Sequence, residues 1–526
     1  MKEIIIGEAD FSEIILNNAI YVDKTRELKS LLDSSKYYFF SRPRRFGKSL
    51  LCSTLQYLFQ GRKALFEGLW IHDQHDWSKT NPVLFFSFVR VAYKESGLHD
   101  ALCRTLDALA TEQRLALQSQ TPTEKFRELI EKMSAGGQVV VLIDEYDKPI
   151  IDYLNDTAVA AANRELLKGF YGILKDTSLM ARLRLVFITG VSKFSRVSLF
   201  SDLNHLSDIS MHKDYATLTG ITQTELEAHF SPYIDRLAKE EELSREALLA
   251  KMKRWYNGYS WDGVHFVYNP FSLLRFFDAR RFDNYWFDSA TPTMLVNAIR
   301  DSRQPVEDFE QLSVDDSFFK KFDIEDIDLK VLMFQTGYLT VKSVEKFEEE
   351  TIYHLAYPNE EVHKSFVRHL LESYTRKNTS STSEMMVKIK RALYNKDVAT
   401  FIFQIKAMFA DISYQMLPRE QEDAEKVAEL WEGYFQFMIY LLLSLIGVNI
   451  QTEISKHKGR MDAAIQTDRF IYILEFKIGT AAEGMEQIVR QEYALYYQTT
   501  GKPITLIAIG FDKKNRNVKD WEIAEL

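Results

Sequence analysis

Cysteine is almost missing from this chain: its 526 residues include only Cys52 and Cys103. Two thiols exclude a disulfide framework, and no Cys–His cluster suggests zinc. Proline, at 11 residues, and glycine, at 21, are sparse, and no internal repeat, Pro-rich linker or low-complexity tract stands out. The nearest thing to a linker is the polar run from Arg376 to Ser383. Long apolar runs are absent too. The longest, from Met438 to Val448, falls short of the roughly 20 residues that span a bilayer. Residues Met1 to Asp10 lack the basic start and apolar core of a signal peptide, so a reducing, cytoplasmic location without a membrane is expected. An excess of positive charge is also lacking. The net charge is −9, so any nucleic-acid contact must come from local patches. From Asp301 to Glu350, 14 acids face 6 basic residues, and such a run reads as solvated surface.

What is present is apolar and aromatic. Hydrophobic residues make up 46% of the chain, with 36 Phe and 26 Tyr, which excludes a disordered protein. The length suits two to four domains with their own cores.

Tyr37-Tyr38-Phe39-Phe40 reads as a strand, and Leu50 to Phe59 has helical periodicity. Between them stands Arg42-Pro43-Arg44-Arg45-Phe46-Gly47-Lys48-Ser49. A strand, a tight loop ending Gly-Lys-Ser and a helix make the layout of a phosphate-binding P-loop. Arg45, Phe46, Gly47, Lys48, Ser49 and Leu50 are the expected nucleotide contacts. Gly47 would let the backbone approach, Lys48 would reach the β- and γ-phosphates, and Ser49 would sit on Mg²⁺. Arg42 departs from the pattern, which wants glycine there.

A second run, Gln138 to Ile143, is β-branched and ends in Asp144-Glu145, the signature of a buried parallel strand presenting two acids at its edge. Asp144 would hold Mg²⁺ and Glu145 would polarise the attacking water. The bland alternative is a core strand entering an acidic turn. Pro82 to Val89 and Arg184 to Gly190 are further strands, with a helix near Asn163 to Lys175. A strand between the two motifs points to the ATPase branch with a built-in glutamate. Thr189 and Ser192 stand where such enzymes place a polar sensor of the γ-phosphate, with Lys193 and Arg196 beside them. Thr222 to Trp255 is helical and opens on a capping-box pattern, Thr222 to Glu225, with helices returning near Phe271 to Ala279 and from Thr293. A helical lid or winged-helix-like module after the ATPase core is the economical reading.

The last hundred residues carry a separate signal. Asn449 to Ser455, Arg460 to Ile465 and Phe470 to Lys477 alternate as a meander with one buried face. A helix holding Gln487 follows, then Pro503 to Ile509 as the final strand, an α-β-β-β-α-β order. Alternation puts Glu475 and Lys477 on one face, with Asp462 on the neighbouring strand. Carboxylates beside an ammonium are what a metal-dependent nuclease needs: the acids bind Mg²⁺ and the lysine steers water or stabilises the phosphorane. Glu432, on the preceding helix, would add a third carboxylate. The plainer alternative is a small α/β domain in which Glu475 and Lys477 simply pair.

These residues resemble a known family. Tyr21-Val22-Asp23-Lys24-Thr25, the Arg42 to Ser49 loop, Leu142 to Asp147, Thr189 to Ser195, Trp255 to Tyr259 and Tyr268 to Ser272 resemble the bacterial AAA-ATPase-like family, in which arginine at the Arg42 position is usual. Gly459 to Asp462, Glu475-Phe476-Lys477 and Gln487-Ile488 resemble the PD-(D/E)xK nuclease domain commonly fused to it, with Met461 at the variable proline position. The resemblance implies an α/β fold: an N-terminal P-loop (ASCE/AAA-like) parallel sheet with helices on both faces, a helical, winged-helix-like middle region and a small C-terminal restriction-endonuclease-like domain. Expected boundaries are 1–215, 216–300, 301–425 and 426–526. ATP and Mg²⁺ are the implied cofactors, with Mn²⁺ an option at the nuclease site, where Asp462, Glu475, Lys477 and Gln487 would act. Nucleic acid is the implied partner, DNA before RNA, and a homo-oligomer remains open. A different class of function is a regulatory nucleotide switch whose C-terminal domain binds nucleic acid or protein without cutting.

Overall fold

The computed structural model describes residues 2–193, 205–286, 295, 311–319, 328–375, 378–412, 424–446, 449–456 and 459–526, without the side chains of 424–430, 432–433, 449–456 and 459–461. Two compact units emerge, one from Met1–Ala298 and Glu307–His363, the other from Lys364 onward.

The first unit is organised by a five-stranded parallel sheet. Its strands are β1 (Tyr37–Ser41), β2 (Val83–Ser87), β3 (Val139–Asp144), β4 (Leu183–Gly190) and β5 (Ser207–Asp208), in the order β2-β3-β4-β1-β5. β4 therefore separates β1, which feeds the phosphate loop, from β3, which ends in Asp144. All six residues of β3 are buried, as a strand covered on both faces requires. Val140 and Leu142 join the cluster of Phe11, Leu28, Phe40 and Leu55 on the side of the helix Lys48–Phe59. The helices Pro122–Met133 and Thr157–Gly172 stack Phe126 on Phe170 at 4.5 Å, and Phe170 meets Phe86 of β2 at 5.7 Å.

A helical region follows, Gln223–Glu240, Arg245–Tyr256 and Pro270–Ala279, where the sequence leads us to expect a lid. The expected capping box is present, Thr222 and Glu225 satisfying each other's backbone donors. Phe230 stacks on Phe277 at 5.0 Å within a core that includes Leu248, Met252 and Tyr256. A short antiparallel pair, β6 (Ile221–Thr222) and β7 (Val267–Tyr268), closes this region. Next come β8 (Leu312–Val314), the helix Leu329–Thr336, and the hairpin β9 (Thr340–Phe347) and β10 (Glu350–Ala356), forming a sheet ordered β8-β10-β9. Much of the acidic stretch, with Thr293, Arg196 and Arg376, lies outside the described residues. The described end of that stretch is the exposed hairpin bearing Glu345, Glu348, Glu349 and Glu350, in keeping with a solvated face.

The second unit holds the helices Thr379–Tyr394, Val398–Ala410 and Ala424–Ile446, then a sheet of β11 (Asn449–Lys456), β12 (Gly459–Gln466), β13 (Ile471–Ile478), β14 (Ile504–Asp512) and β15 (Asn517–Glu525) in sequential order. The helix Ala481–Arg490 links the parallel pair β13 and β14; the other pairs are antiparallel. Two sequence expectations need correction. β13 is buried continuously from Ile471 to Phe476, not on one face only, because its neighbour β14 is parallel and the crossover helix covers it. Pro503 to Ile509 does not end the sheet, since β15 adds an antiparallel edge. That strand escaped notice because charged residues occupy both of its faces.

Candidate nucleotide and nuclease sites

The phosphate loop turns where Arg45 and Gly47 take positive φ, 69° and 85°. Glycine accepts that conformation at no steric cost, and Gly47 caps the helix that Lys48 begins. Lys48 is buried, and its ammonium donates to the carbonyls of Arg42 at 2.9 Å and Pro43 at 3.0 Å. Burial holds it below its ordinary pKa. Ser49 donates its hydroxyl to Asp144 Oδ2 at 2.6 Å, so the two residues read as Mg²⁺ ligands are in contact across β1 and β3. Burial pushes the Asp144 carboxyl up to about 6, against the hydrogen bond from Ser49 and the charge of Lys48. Hard oxygen donors beside a phosphate loop fit a magnesium ion, which would neutralise phosphate charge there.

Arg42 explains the missing glycine. Its guanidinium is 1% exposed, donates to the carbonyls of Ser41 at 2.9 Å, Ser210 at 2.7 Å and Tyr215 at 3.3 Å, and lies over the Trp261 ring at 3.6 Å. Burial lowers it to about 9. Arg42 is thus a brace behind the loop, and Phe46 joins it by packing edge-on against Tyr259 at 4.8 Å and Trp261 at 5.6 Å.

A cavity of about 460 Å³ opens in front of the loop. Arg45, Phe46, Gly47, Lys48, Ser49 and Leu50 line it, as does Glu145, whose φ of 51° follows the strand end. Asp144 stands behind Ser49. Ser192 is not among the lining residues: it is fully buried and donates to Asp147 Oδ2 at 2.7 Å. Thr189 donates to Phe40 O at 2.7 Å, and Lys193 pairs with Asp208 at 3.1 Å. Both sensor residues are therefore engaged within the fold.

The rest of the cavity comes from segments to which sequence reading gave no site role. Ile5, Gly7, Glu8 and Ala9 line it with Ile20 to Val22, and Leu218 to Ile221 with Phe271 contribute from the helical region. Lys24 bridges them, its ammonium 2.6 and 2.7 Å from the two oxygens of Glu225 on the helix Gln223–Glu240. Tyr21 and Lys24 belong to a motif quoted above, but a motif does not reveal what it faces.

In the second unit, Asp462 stands one step beyond the last ladder pair of β12 and β13, Ala463 with Leu474. Its carboxylate takes over there: Oδ2 accepts from the Phe476 N–H at 2.7 Å, and Oδ1 accepts from Gln436 Nε2 at 3.1 Å. Glu475 is 0% exposed. Lys477 Nζ lies 3.2 Å from its Oε1, and neither carboxylate oxygen has a well-formed hydrogen bond among the described residues. Burial, then the charge of Asp462, pushes the Glu475 carboxyl up to about 7. A buried carboxylate oxygen left bare is costly unless a cation completes it. That observation fits a divalent ion held by Asp462 and Glu475, which would supply an activated water.

Gly484 on the crossover helix packs close to β14 and β13: an added Cβ would lie 3.2 Å from Ala508 Cβ, beside Lys477 Cγ and Glu475 Cγ. Gln487 on that helix donates to the Tyr493 hydroxyl at a long 3.4 Å. The Glu432 side chain lies outside the described residues. Gln436, one turn further along the same helix, is the residue seen to reach Asp462, and sequence reasoning overlooked it for want of charge. Among the described residues no group of three or more His, Cys, Asp or Glu gathers as a metal cluster.

Comparison with known proteins agrees with both units. Residues 5–200 match the family model described as "Predicted AAA-ATPase", and residues 430–521 match the PD-(D/E)XK nuclease superfamily. The chain is 35% identical over 532 residues to the "Uncharacterized protein in vnfD 5'region" of Azotobacter chroococcum mcd 1, covering 100% of this chain and 99% of that one. No solved structure matches. No helix among the described residues is long and apolar enough to cross a membrane. The chain belongs to the AAA-ATPase-like family, in the form that carries a PD-(D/E)XK nuclease superfamily domain at its C-terminal end.

Proposed function

We propose that the chain is an ATPase that controls a metal-dependent nuclease. ATP with Mg²⁺ is bound at Gly47, Lys48 and Ser49, with Asp144 as the second metal-holding residue. Arg45, Phe46 and Leu50 complete the loop side of the site. Glu145 takes the proton of the attacking water. In the C-terminal unit, Asp462 and Glu475 hold Mg²⁺ or Mn²⁺, and Glu432 is retained as a third candidate ligand. Lys477 orients the hydrolytic water and offsets charge on the phosphodiester. Gln487 contacts the same centre from the crossover helix. The substrate is nucleic acid, with DNA favoured. Nucleotide turnover shifts the helical lid and so governs cleavage.

The observation that carries the reading is Glu475 Oε2, buried without a hydrogen bond beside Asp462 and Lys477. The test incubates plasmid, linear DNA and RNA with Mg²⁺ or Mn²⁺, with and without ATP. Wild type is expected to cleave, Asp462→Ala to fail, and Lys48→Ala to lose the ATP dependence. Equal nicking by wild type and Asp462→Ala would assign the activity to contamination and favour a switch that binds without cutting. An unchanged rate and ATP response in Lys48→Ala would remove the control.

A further inference from the structure

Lys148 lines the nucleotide cavity, yet neither the phosphate loop nor the acid pair gives it a task. It begins the short helix that follows Glu145, its N–H donating to the Glu145 carbonyl at 3.0 Å. One turn of backbone thus joins Glu145, read as the water's base, to Lys148, and both residues line the same cavity.

Arg44 also lines the cavity, and three further cations there are differently occupied. Lys24 is held by Glu225 at 2.6 Å, Lys48 rests on two loop carbonyls, and Arg45 lies over the Phe271 ring at 4.8 Å. Lys148 Nζ is tethered to Asp152 Oδ2 only at 3.4 Å. Asp152 does not depend on it, because Lys94 Nζ lies 2.8 Å from the same oxygen and the Tyr93 hydroxyl donates to it at 2.9 Å. Departure of Lys148 would therefore leave no bare carboxylate, the usual penalty for breaking a half-buried ion pair. The tether can be released at small cost.

We propose that Lys148 is a catalytic residue of ATP hydrolysis, leaving Asp152 for the γ-phosphoryl group and neutralising charge in cis. In the step it serves, the water oxygen forms a bond to Pγ as the bond from Pγ to the β–γ bridging oxygen breaks. The bond pair leaves on ADP, and the water proton passes to Glu145. Lys148 offsets the charge on the equatorial and bridging oxygens, work that other such ATPases assign to an arginine finger. The proposal rests on reading the cavity as the ATP site.

Binding of a fluorescent ATP analogue with Mg²⁺ and steady-state hydrolysis are measured on the full chain. Lys48→Ala tests the site itself: unaltered analogue binding there would overturn the site reading, and Lys148 with it. Given a functional site, Lys148→Ala is expected to bind the analogue within about 3-fold of wild type while kcat falls about 10²–10³-fold. Lys148→Arg, which keeps the charge, should restore at least about a tenth of the rate. A kcat for Lys148→Ala within about 3-fold of wild type, including a wild type that binds but barely turns over, overturns the assignment. Recovery of activity on mixing Lys148→Ala with Lys48→Ala protein also overturns it, since the lysine would then act on a neighbour. An unchanged thermal melt separates these outcomes from misfolding.

Discussion

The two sites handle buried charge in opposite ways. In the nucleotide site the chain satisfies itself: Lys48 sits on two carbonyls, Ser49 on Asp144 and Lys24 on Glu225. In the nuclease site Asp462 is held by Gln436 and a backbone N–H, but Glu475 keeps a buried oxygen with no hydrogen bond. A ligand entering the first site must exchange bonds already made, so much of its gross interaction is cancelled. A cation entering the second completes a group the fold leaves in its own low dielectric, although it must give up hydration to do so. The difference suits a nucleotide that comes and goes and a metal that stays.

The largest expected effects would break the comparison outright. Asp462→Ala should lower metal-dependent cleavage, and Lys48→Ala should lower ATP hydrolysis, each by about 10²–10³-fold, read as initial rates. If either loss were absent, that site would not be a site.

Next in size is the thermal response. Saturating Mn²⁺ should raise the melting temperature of the C-terminal unit more than saturating ATP with Mg²⁺ raises that of the N-terminal unit, read by calorimetry of the full chain. Glu475→Gln should stabilise the metal-free protein by about 1–3 kcal/mol at pH 8 and abolish the Mn²⁺ shift. A Gln variant that melts lower without metal would mean the carboxylate is paired after all.

A smaller effect belongs to Lys24. Its ion pair with Glu225 is largely buried, with side-chain exposures of 10% and 21%. Lys24→Ala should weaken ATP-analogue binding about 3–10-fold, the equivalent of roughly 1 kcal/mol, by loosening the lid. An unchanged affinity would show that the clasp does not shape the cavity.

The last test is a control for buried charge that awaits no ligand. Lys342 donates to Pro358 O at 2.7 Å, and burial lowers its amine to about 8 from 10.5. The unfolded chain then holds the proton more tightly than the folded one, so wild-type stability should rise between about pH 8 and 10.5. Lys342→Met should remove that rise and gain about 1–2 kcal/mol near pH 7, judged by urea unfolding across pH. A wild-type curve parallel to the variant's would mean the amine is solvated.

The main residues of both candidate sites are marked by local sequence signals. Gly47-Lys48-Ser49 and Asp144-Glu145 are local signals, and the parallel sheet brings Ser49 within 2.6 Å of Asp144. Period-two alternation placed Glu475 beside Lys477, which the 3.2 Å separation reflects. Other parts were not legible. Lys148 looked like any helix-start lysine, and Gln436 carries no charge to draw attention. Ser192 sits at the sequence position of a sensor, yet buried Asp147 claims its hydroxyl. Arg42 broke a motif on paper and mends it in space, where Trp261, far along the chain, receives its guanidinium.

The sequence by itself determined the two domain families, because a phosphate loop, an acid-tipped strand and a Glu-x-Lys strand are written within short windows that local propensity and alternation can read. The tertiary structure alone decided which of those groups are satisfied and which are left waiting, and which remote walls enclose the nucleotide cavity. Those outcomes depend on contacts between residues far apart in the chain, such as Lys24 with Glu225 and Gln436 with Asp462, and no local pattern encodes them.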